Sequence, residues 1–493
     1  MARGITHFGG YVPRLRMARD TIFQAHAWLN PGLRGANSGI RAFGDWDEDP
    51  LTYAIEAVRD ALPEPNRKAV ERFNLCSTSF PFAYRQNASL AATALGLPRS
   101  VQCSDLSGSD NAALLALSQA CRSPGSTSLI AASERVRTPA ASMMEMRLGE
   151  GGAAIQVGDE NAVAVLMGEG HVTDDFVDRF RSSADAFDYV WEERWIRDEG
   201  YSRLALEASQ KALSDAGLES RQINHFIAPT YLPKAQQQIA RKLGIDSGSI
   251  SDHLMDTCGY VGAAHGLLVL ATVLETAEPG DRILVVQMGQ GATALVFQVT
   301  EVINDVRPAR GVAEWLRRGD LQKDYLKLAV FNRVLDWDRG MRGERDTKTA
   351  LSALHRESDV VTGLIAGKCR KTGLVQFPPT RLSVSSNETA LDQFEPYPLS
   401  ERPARVVSYS ADRLSFSLHP PSYVGLVDFE GGGRMPVQFT DIRADGIETG
   451  DRMRMVFRVK DYDEQRGFRR YFWKAQPDTR SQSSEEETTC REG

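Results

Sequence analysis

Cys258 and His265 lie seven residues apart in CGYVGAAHGLL, a thiol and an imidazole separated by about two helical turns. A cysteine attacks an acyl carbon as its thiolate, and a nearby base is one way to generate that thiolate. The pair is therefore a candidate nucleophilic site, with packing of His265 as the competing use. Glu192 and Glu193 in VWEERWIRDEGY are a second candidate, two carboxylates flanked by Trp191 and Trp195. A buried carboxylate can move protons as a general acid or base, and pairing with the arginines of the same segment is its rival. A third stretch, GKCRKTGLVQFPP, looks like half of a zinc ribbon. Cys369 begins a knuckle, but Thr372 stands where the second thiolate would be, and RLSVSSNE after it has neither cysteine nor histidine. Structural zinc takes four Cys or His ligands, so no zinc is expected.

An internal repeat must position these residues. NAALLALSQACRSPGSTSLIAAS (111–133) and GAAHGLLVLATVLETAEPGDRILVVQM (262–288) each read as a small-residue helix, a Pro-Gly break and a buried strand. Pro124 and Pro279 are 155 residues apart, and each strand is followed by a Gly-rich turn and a second strand, GEGGAAIQVG and GQGATALVFQV. The nearly continuous apolar runs fit strands covered on both faces. The fold class expected is α/β, two pseudo-repeated halves stacked in a five-layered core, with boundaries at 1–165 and 166–302. Residues 303–358 are charged and helical in pattern and are expected to form a connector. Short alternating strands with Gly-rich turns follow over 359–475, the pattern of a small antiparallel barrel. Residues 476–493 are polar, acidic and free of aromatics, a composition expected of a disordered tail.

The bulk properties narrow the function classes. The chain has 493 residues, 42% hydrophobic and 25% charged, with a net charge of −7. An acidic balance disfavours nucleic acid as the main partner. No apolar run reaches the roughly 18 residues of a membrane span. Six scattered cysteines make no disulfide framework, and the N-terminus lacks an apolar signal region. A reduced, cytoplasmic protein is expected.

Several stretches carry a family resemblance: FGGYVPRLRM, DEDPLTYAIEAVRDAL, CSTSFPFAYRQNASLAATALGLPRS, PKAQQQIARKLGI and CGYVGAAHGLL. The first 300 or so residues resemble the thiolase superfamily, in its hydroxymethylglutaryl-CoA synthase and ketoacyl-ACP synthase branch. Residues 359–475, through GLIAGKCRKTGLVQFPP and RGFRRYFWKA, resemble an acyl-CoA-associated OB-fold domain preceded by a zinc ribbon. The resemblance implies a five-layered thiolase fold, a coenzyme A thioester as ligand, and an OB-fold barrel.

It also implies a cysteine at the N-terminus of a buried helix, a histidine from the second half and an asparagine near the second long helix. Counting back from Ala112-Ala113-Leu114 places Ser107 in the cysteine column, with Cys103 one turn upstream as the other candidate. Pro229 falls in the histidine column and Tyr260 in the asparagine column. Lys234, Arg241 and Lys242 lie on a helix that runs near the CoA phosphates in relatives. With all three catalytic columns substituted in an acyltransferase-type fold, two functions are expected to compete. One is an auxiliary, scaffold-like, acyl-CoA-binding subunit, a homodimer or a heteromer with a catalytic thiolase. The other is an enzyme with a rebuilt site for Claisen or aldol-type chemistry, using Cys258, His265, Glu192 or Glu193. An OB-fold nucleic-acid binder is the least supported reading.

Overall fold

Two half-sheets of matching topology, joined edge to edge, make the centre of the first unit. The computed structural model describes residues 3–343, 348, 350–385 and 390–478, and the chain divides into compact units Met1–Trp337 and Asp338–Gly493. In the first half, β1 (Gly4–Tyr11) and β4 (Ser128–Glu134) both pair antiparallel with β5 (Gly151–Gly158). Strand β2 (Arg72–Cys76) lies parallel to β4 and to β3 (Gln102–Leu106). The second half repeats this. Strands β6 (Ala164–Thr173) and β8 (Arg282–Met288) pair antiparallel with β9 (Gly291–Val299), and β7 (His225–Ile227) lies parallel to β8. A parallel bridge from Phe226 to Ile250 stands where β3 stands in the first half. The halves meet at β1 and β6, through Gly4 opposite Val165 and Ile5 opposite Ala164.

Helices complete five layers. α2 (Ala112–Cys121) and α5 (His265–Leu274) form the middle layer, each packed against strands of both halves. Both are rich in Ala and Leu around their circumference, as a helix sandwiched between sheets must be. α1 (Pro50–Ala61) and α3 (Leu206–Ala216) cover the outer faces. α1 starts where it does because Asp49 accepts the Thr52 N–H, Thr52 returns a bond to the Asp49 N–H, and Pro50 occupies the first turn. Gly170 lets α3 approach its sheet: a Cβ there would lie 2.1 Å from the Ala208 carbonyl oxygen.

The connector expected at 303–358 is corrected by the structure. Its residues up to Trp337 belong to the first unit. The buried carboxylate of Asp60 accepts the N–H groups of Arg310 (2.7 Å) and Gly311 (3.2 Å), besides that of Gly10 (3.0 Å). Glu275 accepts from Val312 and Ala313. A short strand, Asp320–Gln322, pairs in parallel with Leu15–Met17, and Arg135 donates to the Phe331 carbonyl at 2.9 Å. This stretch docks through its backbone, whose amides and carbonyl meet acids and an arginine of the core.

In the second unit, β10 (Ile365–Cys369) pairs with β11 (Val375–Gln376) and β12 (Phe394–Pro398). An antiparallel five-stranded sheet follows, made of β13 (Ala404–Asp412), β14 (Ser422–Phe429), β15 (Arg434–Gln438), β16 (Arg452–Asp463) and β17 (Phe468–Pro477). Its outer strands meet where Thr440 N–H donates to the Ala475 carbonyl at 2.9 Å, which curls the sheet toward a barrel. Trp473 is fully buried and donates to the Thr362 carbonyl at 2.8 Å. Strand β17 runs to Pro477, so the barrel extends past residue 475. Residues 479–493 of the expected tail lie outside the described residues.

Candidate functional site

The N-terminus of α2 and the turn before α5 converge from the two halves. The loop entering α2 carries Gly108 at φ 91°. Beyond it, Ser109 accepts the Asn111 N–H at 3.0 Å and donates to the Gly289 carbonyl at 2.6 Å, tying this loop to the turn between β8 and β9. Gly289 is required by that approach, since a Cβ there would lie 2.8 Å from the Ser109 hydroxyl. At the head of the helix stands Asp110, 7% exposed.

Asp110 is enclosed by partners. Arg179 Nη2 lies 2.6 Å from both of its carboxylate oxygens, Tyr260 donates to it at 3.0 Å, and Gln287 donates to the Tyr260 hydroxyl at 2.9 Å. Burial opposes the charge on Arg179, but Asp110, Asp188 and Asp178 more than offset it and hold the guanidinium protonated. Glu134, at the end of β4, accepts the Thr78 N–H at 2.6 Å and the Ser79 hydroxyl. Burial, reinforced by the charge of Asp110, pushes its pKa up to about 7. Asp178 is raised to about 6 by burial, partly countered by Arg179.

Two cavities open beside this network. A polar one of about 260 Å³ is lined by Thr78, Ser107, Asp110, Asp178, Arg179 and Arg181. A more apolar one of about 320 Å³ is lined by Met143, Arg147, Tyr189, Trp191, Tyr231 and Leu232. Asp188 faces both, paired to Arg181 and 3.6 Å from Arg179.

The residues expected from sequence are scattered. Ser107 lines the polar cavity, in the loop three residues before Asp110. Cys103 lies half-buried on β3, at the outer edge of the sheet, where burial raises its thiol pKa. Cys258 is fully buried, its thiol donating to the Leu254 and Gly259 carbonyls at 3.4 Å, and burial pushes its pKa to about 12. His265 is also fully buried. Its Nδ1 accepts the Val261 N–H at 2.9 Å, its Nε2 donates to the His253 carbonyl at 2.7 Å, and burial lowers its pKa to about 3. Both ring nitrogens are spent on backbone and the thiol on carbonyl oxygens, an arrangement that fits packing of the Cys258–His265 pair. Glu192 is exposed, and Glu193, also exposed, pairs with Arg147 at 3.0 Å, outside its own segment. Lys234, Arg241 and Lys242 are exposed at the two ends of α4 (Ala235–Leu243).

Sequence reasoning missed Asp110, Glu134, Asp178, Arg179 and Tyr231. The available signals were the acid immediately before an Ala/Leu helix in SGSDNAALLAL and the alternating charges of VDRFR. In the second unit, Cys369 is buried at the end of β10, just before the turn to β11. The Thr372 hydroxyl and amide, with the Lys371 amide and the Ser383 hydroxyl, point at its sulfur and lower its pKa. Hydrogen bonds hold the knuckle where a metal would in a ribbon, and these residues do not fit a zinc ligand set. Among the described residues, no group of three or more His, Cys, Asp and Glu is placed to hold a metal ion. Nor is any described helix long and apolar enough to cross a membrane.

Comparison with known proteins agrees with this division of the chain. Residues 213–299 match the C-terminal family of 3-oxoacyl-[acyl-carrier-protein] synthase III, and residues 397–458 match the C-terminal OB-fold domain of ChsH2. The hydroxymethylglutaryl-CoA synthase of Methanocella arvoryzae is 27% identical over 312 residues, covering 61% of this chain and 88% of the relative. That of Caldivirga maquilingensis is 28% identical over 331 residues, covering 64% and 93%. Among solved structures, HMG-CoA synthase complexed with CoA superposes with a TM-score of 0.57 at 14% identity, over 71% of this chain and 95% of that one. The 3-oxoacyl-(acyl carrier protein) synthase III of Pseudomonas aeruginosa gives 0.54 at 16%, over 61% and 98%. At such identities the superpositions speak for fold alone. The first unit has the thiolase fold and is similar to hydroxymethylglutaryl-CoA synthases and ketoacyl-ACP synthase III, and the second carries a match to the ChsH2 C-terminal OB-fold domain.

Proposed function

We propose that the thiolase-fold unit binds a coenzyme A thioester without becoming acylated, and that the chain is the auxiliary, scaffold-like subunit of a thiolase complex. The partner would make or cleave a carbon–carbon bond of a β-keto acyl-CoA. The observation that carries this reading is Asp110 at the head of α2, paired with Arg179 and hydrogen-bonded by Tyr260. A helix N-terminus favours an anion and would activate a thiol, but a carboxylate neutralised by arginine is a poor nucleophile. The fused OB-fold domain supports a bridging role, since tethering raises the effective concentration of a bound partner. Strand β3 ends the core sheet and offers an edge for a second subunit, whether another copy or a thiolase. Free buried thiols fit the cytoplasm.

Two measurements test the reading. Mass spectrometry of the intact chain after incubation with acetyl-CoA should show no added acetyl group, and purification from the native host should bring down a stoichiometric thiolase. A covalent acyl adduct would overturn the proposal. A second reading, favoured by the open polar cavity, is that the chain itself performs carbon–carbon chemistry without an acyl-enzyme. Aldol-type steps need acid–base groups and charge stabilisation, both of which line that cavity.

A further inference from the structure

One side of the apolar cavity is the turn and short helix over 142–147, which contribute Ser142, Met143, Met144 and Arg147 to its lining. This stretch has to be held. Ala141, just before it, sits at φ 59°, a left-handed backbone that a residue with a Cβ adopts only when its surroundings impose it. Glu145 supplies the hold. It is 2% exposed, and one carboxylate oxygen accepts the Ala141 N–H at 2.8 Å. Its own N–H donates to the Ser142 hydroxyl at 3.1 Å, and Arg41 donates to its carbonyl at 2.6 Å.

The other carboxylate oxygen takes the Tyr325 hydroxyl at 2.7 Å, across 180 residues of sequence. Tyr325 opens the helix Tyr325–Phe331 in the segment that docks onto the core. Its ring stands edge-on to His26 at 4.6 Å, and His26 Nε2 lies 3.3 Å from the same carboxylate. Burial and the charge of Glu145 raise the pKa of the phenol, so it keeps its proton and donates it. The segment also grips the other end of the loop. Arg135 donates to the Phe331 carbonyl at 2.9 Å and to Asn332 Oδ1 at 3.3 Å. Residues 135–145 are thus pinned at both ends by residues 325–332, although neither Glu145 nor Tyr325 lines the cavity. The chain passes into its second unit at Asp338, directly after this brace.

Resting on the reading that the first unit binds a coenzyme A thioester, we propose that Tyr325 is a positioning residue for the apolar cavity. Acting through Glu145, it fixes the wall at 142–147, so that occupancy of the cavity and docking of residues 320–332 are linked. The linkage is reciprocal: whatever tightens one tightens the other by the same factor.

Hydrogen–deuterium exchange of the full chain, read by mass spectrometry, tests this. Without ligand, Tyr325→Phe should speed exchange over residues 139–148 by about tenfold, the worth of one hydrogen bond to a carboxylate. Exchange in β8 and β9 should not change, whereas a general loss of stability would speed it everywhere. Should Tyr325→Phe fail to fold, Asn332→Ala cuts the other tie, and its readout is faster exchange over residues 134–139. Wild-type rates at the wall in the variant overturn the proposal. Saturating acetyl-CoA should slow exchange over both 139–148 and 320–332 in wild type, and over 139–148 alone in Tyr325→Phe. Protection of the wall without protection of 320–332 in wild type overturns the linkage. A wild-type chain that binds no acetyl-CoA overturns the coenzyme A reading, while the comparison without ligand still decides the role of Tyr325.

Discussion

Arg179 Nη2 stands 2.6 Å from both carboxylate oxygens of Asp110, and each side chain is only 7% exposed. The pair joins the helix head of the first half to a short hairpin of the second. Taking one charge away leaves the other stranded in low dielectric, which costs more than the intact pair contributes. Arg179→Met should therefore destabilise the chain by about 3–5 kcal/mol. The double variant Arg179→Met with Asp110→Asn should recover more than half of that loss. Urea unfolding of the four chains in the cycle measures this, and additive losses would show that the two residues act independently.

Glu134 predicts a stability that depends on pH near neutrality. Its pKa rises from an ordinary 4.5 to about 7 on folding, so the folded chain takes up a proton that the unfolded chain lacks between those values. The contribution is fully present below about 4.5 and is lost as pH rises through about 7. Wild type should lose stability relative to Glu134→Gln on going from pH 5.5 to pH 8, on the order of a few kcal/mol. Parallel melting curves at the two pH values check it, and a constant difference between the chains would refute the assignment.

His265 predicts the opposite slope. Burial lowers its pKa from 6.5 to about 3, so the neutral ring stabilises the fold above pH 6.5 and that contribution fades as pH falls toward 3. His265→Ala also strands the Val261 N–H, and should cost about 2–4 kcal/mol. Binding of acetyl-CoA by the folded fraction should be unaffected, because the ring faces backbone and not the cavities. Calorimetry on the variant checks this, and lost affinity in the folded fraction would contradict the structural role.

The knuckle at Cys369 predicts a gain of metal. Thr372→Cys with Ser383→Cys would place two further thiols around a sulfur their hydroxyls already approach. Cobalt titration should give a thiolate charge-transfer band and one metal per chain in the double variant. Wild type should give none, and a wild-type chain purified with stoichiometric zinc would contradict the expectation.

Truncation tests the docking of residues 303–337. A chain ending at Trp337 keeps the segment that satisfies Asp60 and Glu275. A chain ending at Val302 exposes both acids and the apolar surface under Trp315. The first should unfold cooperatively on heating. The second should aggregate or melt without a transition.

How much of this was legible depended on whether the signal was periodic. The repeat around Pro124 and Pro279 led directly to the paired halves, because continuous apolar strands and small-residue helices leave a strong pattern. The site left none. Counting residues reached Ser107 but said nothing of Asp110, because the loop before α2 includes a left-handed Gly108 that no periodicity registers. Cys258 and His265 had suggestive spacing, but spacing does not say whether a ring nitrogen meets a substrate or a backbone carbonyl. The segment 303–337 looked solvated because sequence shows its charges and not the buried acids that receive its amides.

The way Asp110 and Arg179 hold each other also sets what the helix head can accept. A chain that replaced Asp110 alone would leave Arg179 without its partner, in a spot sealed by Tyr260 and Gln287. The two halves therefore share one position in two pieces, and a change on either side calls for a matching change on the other.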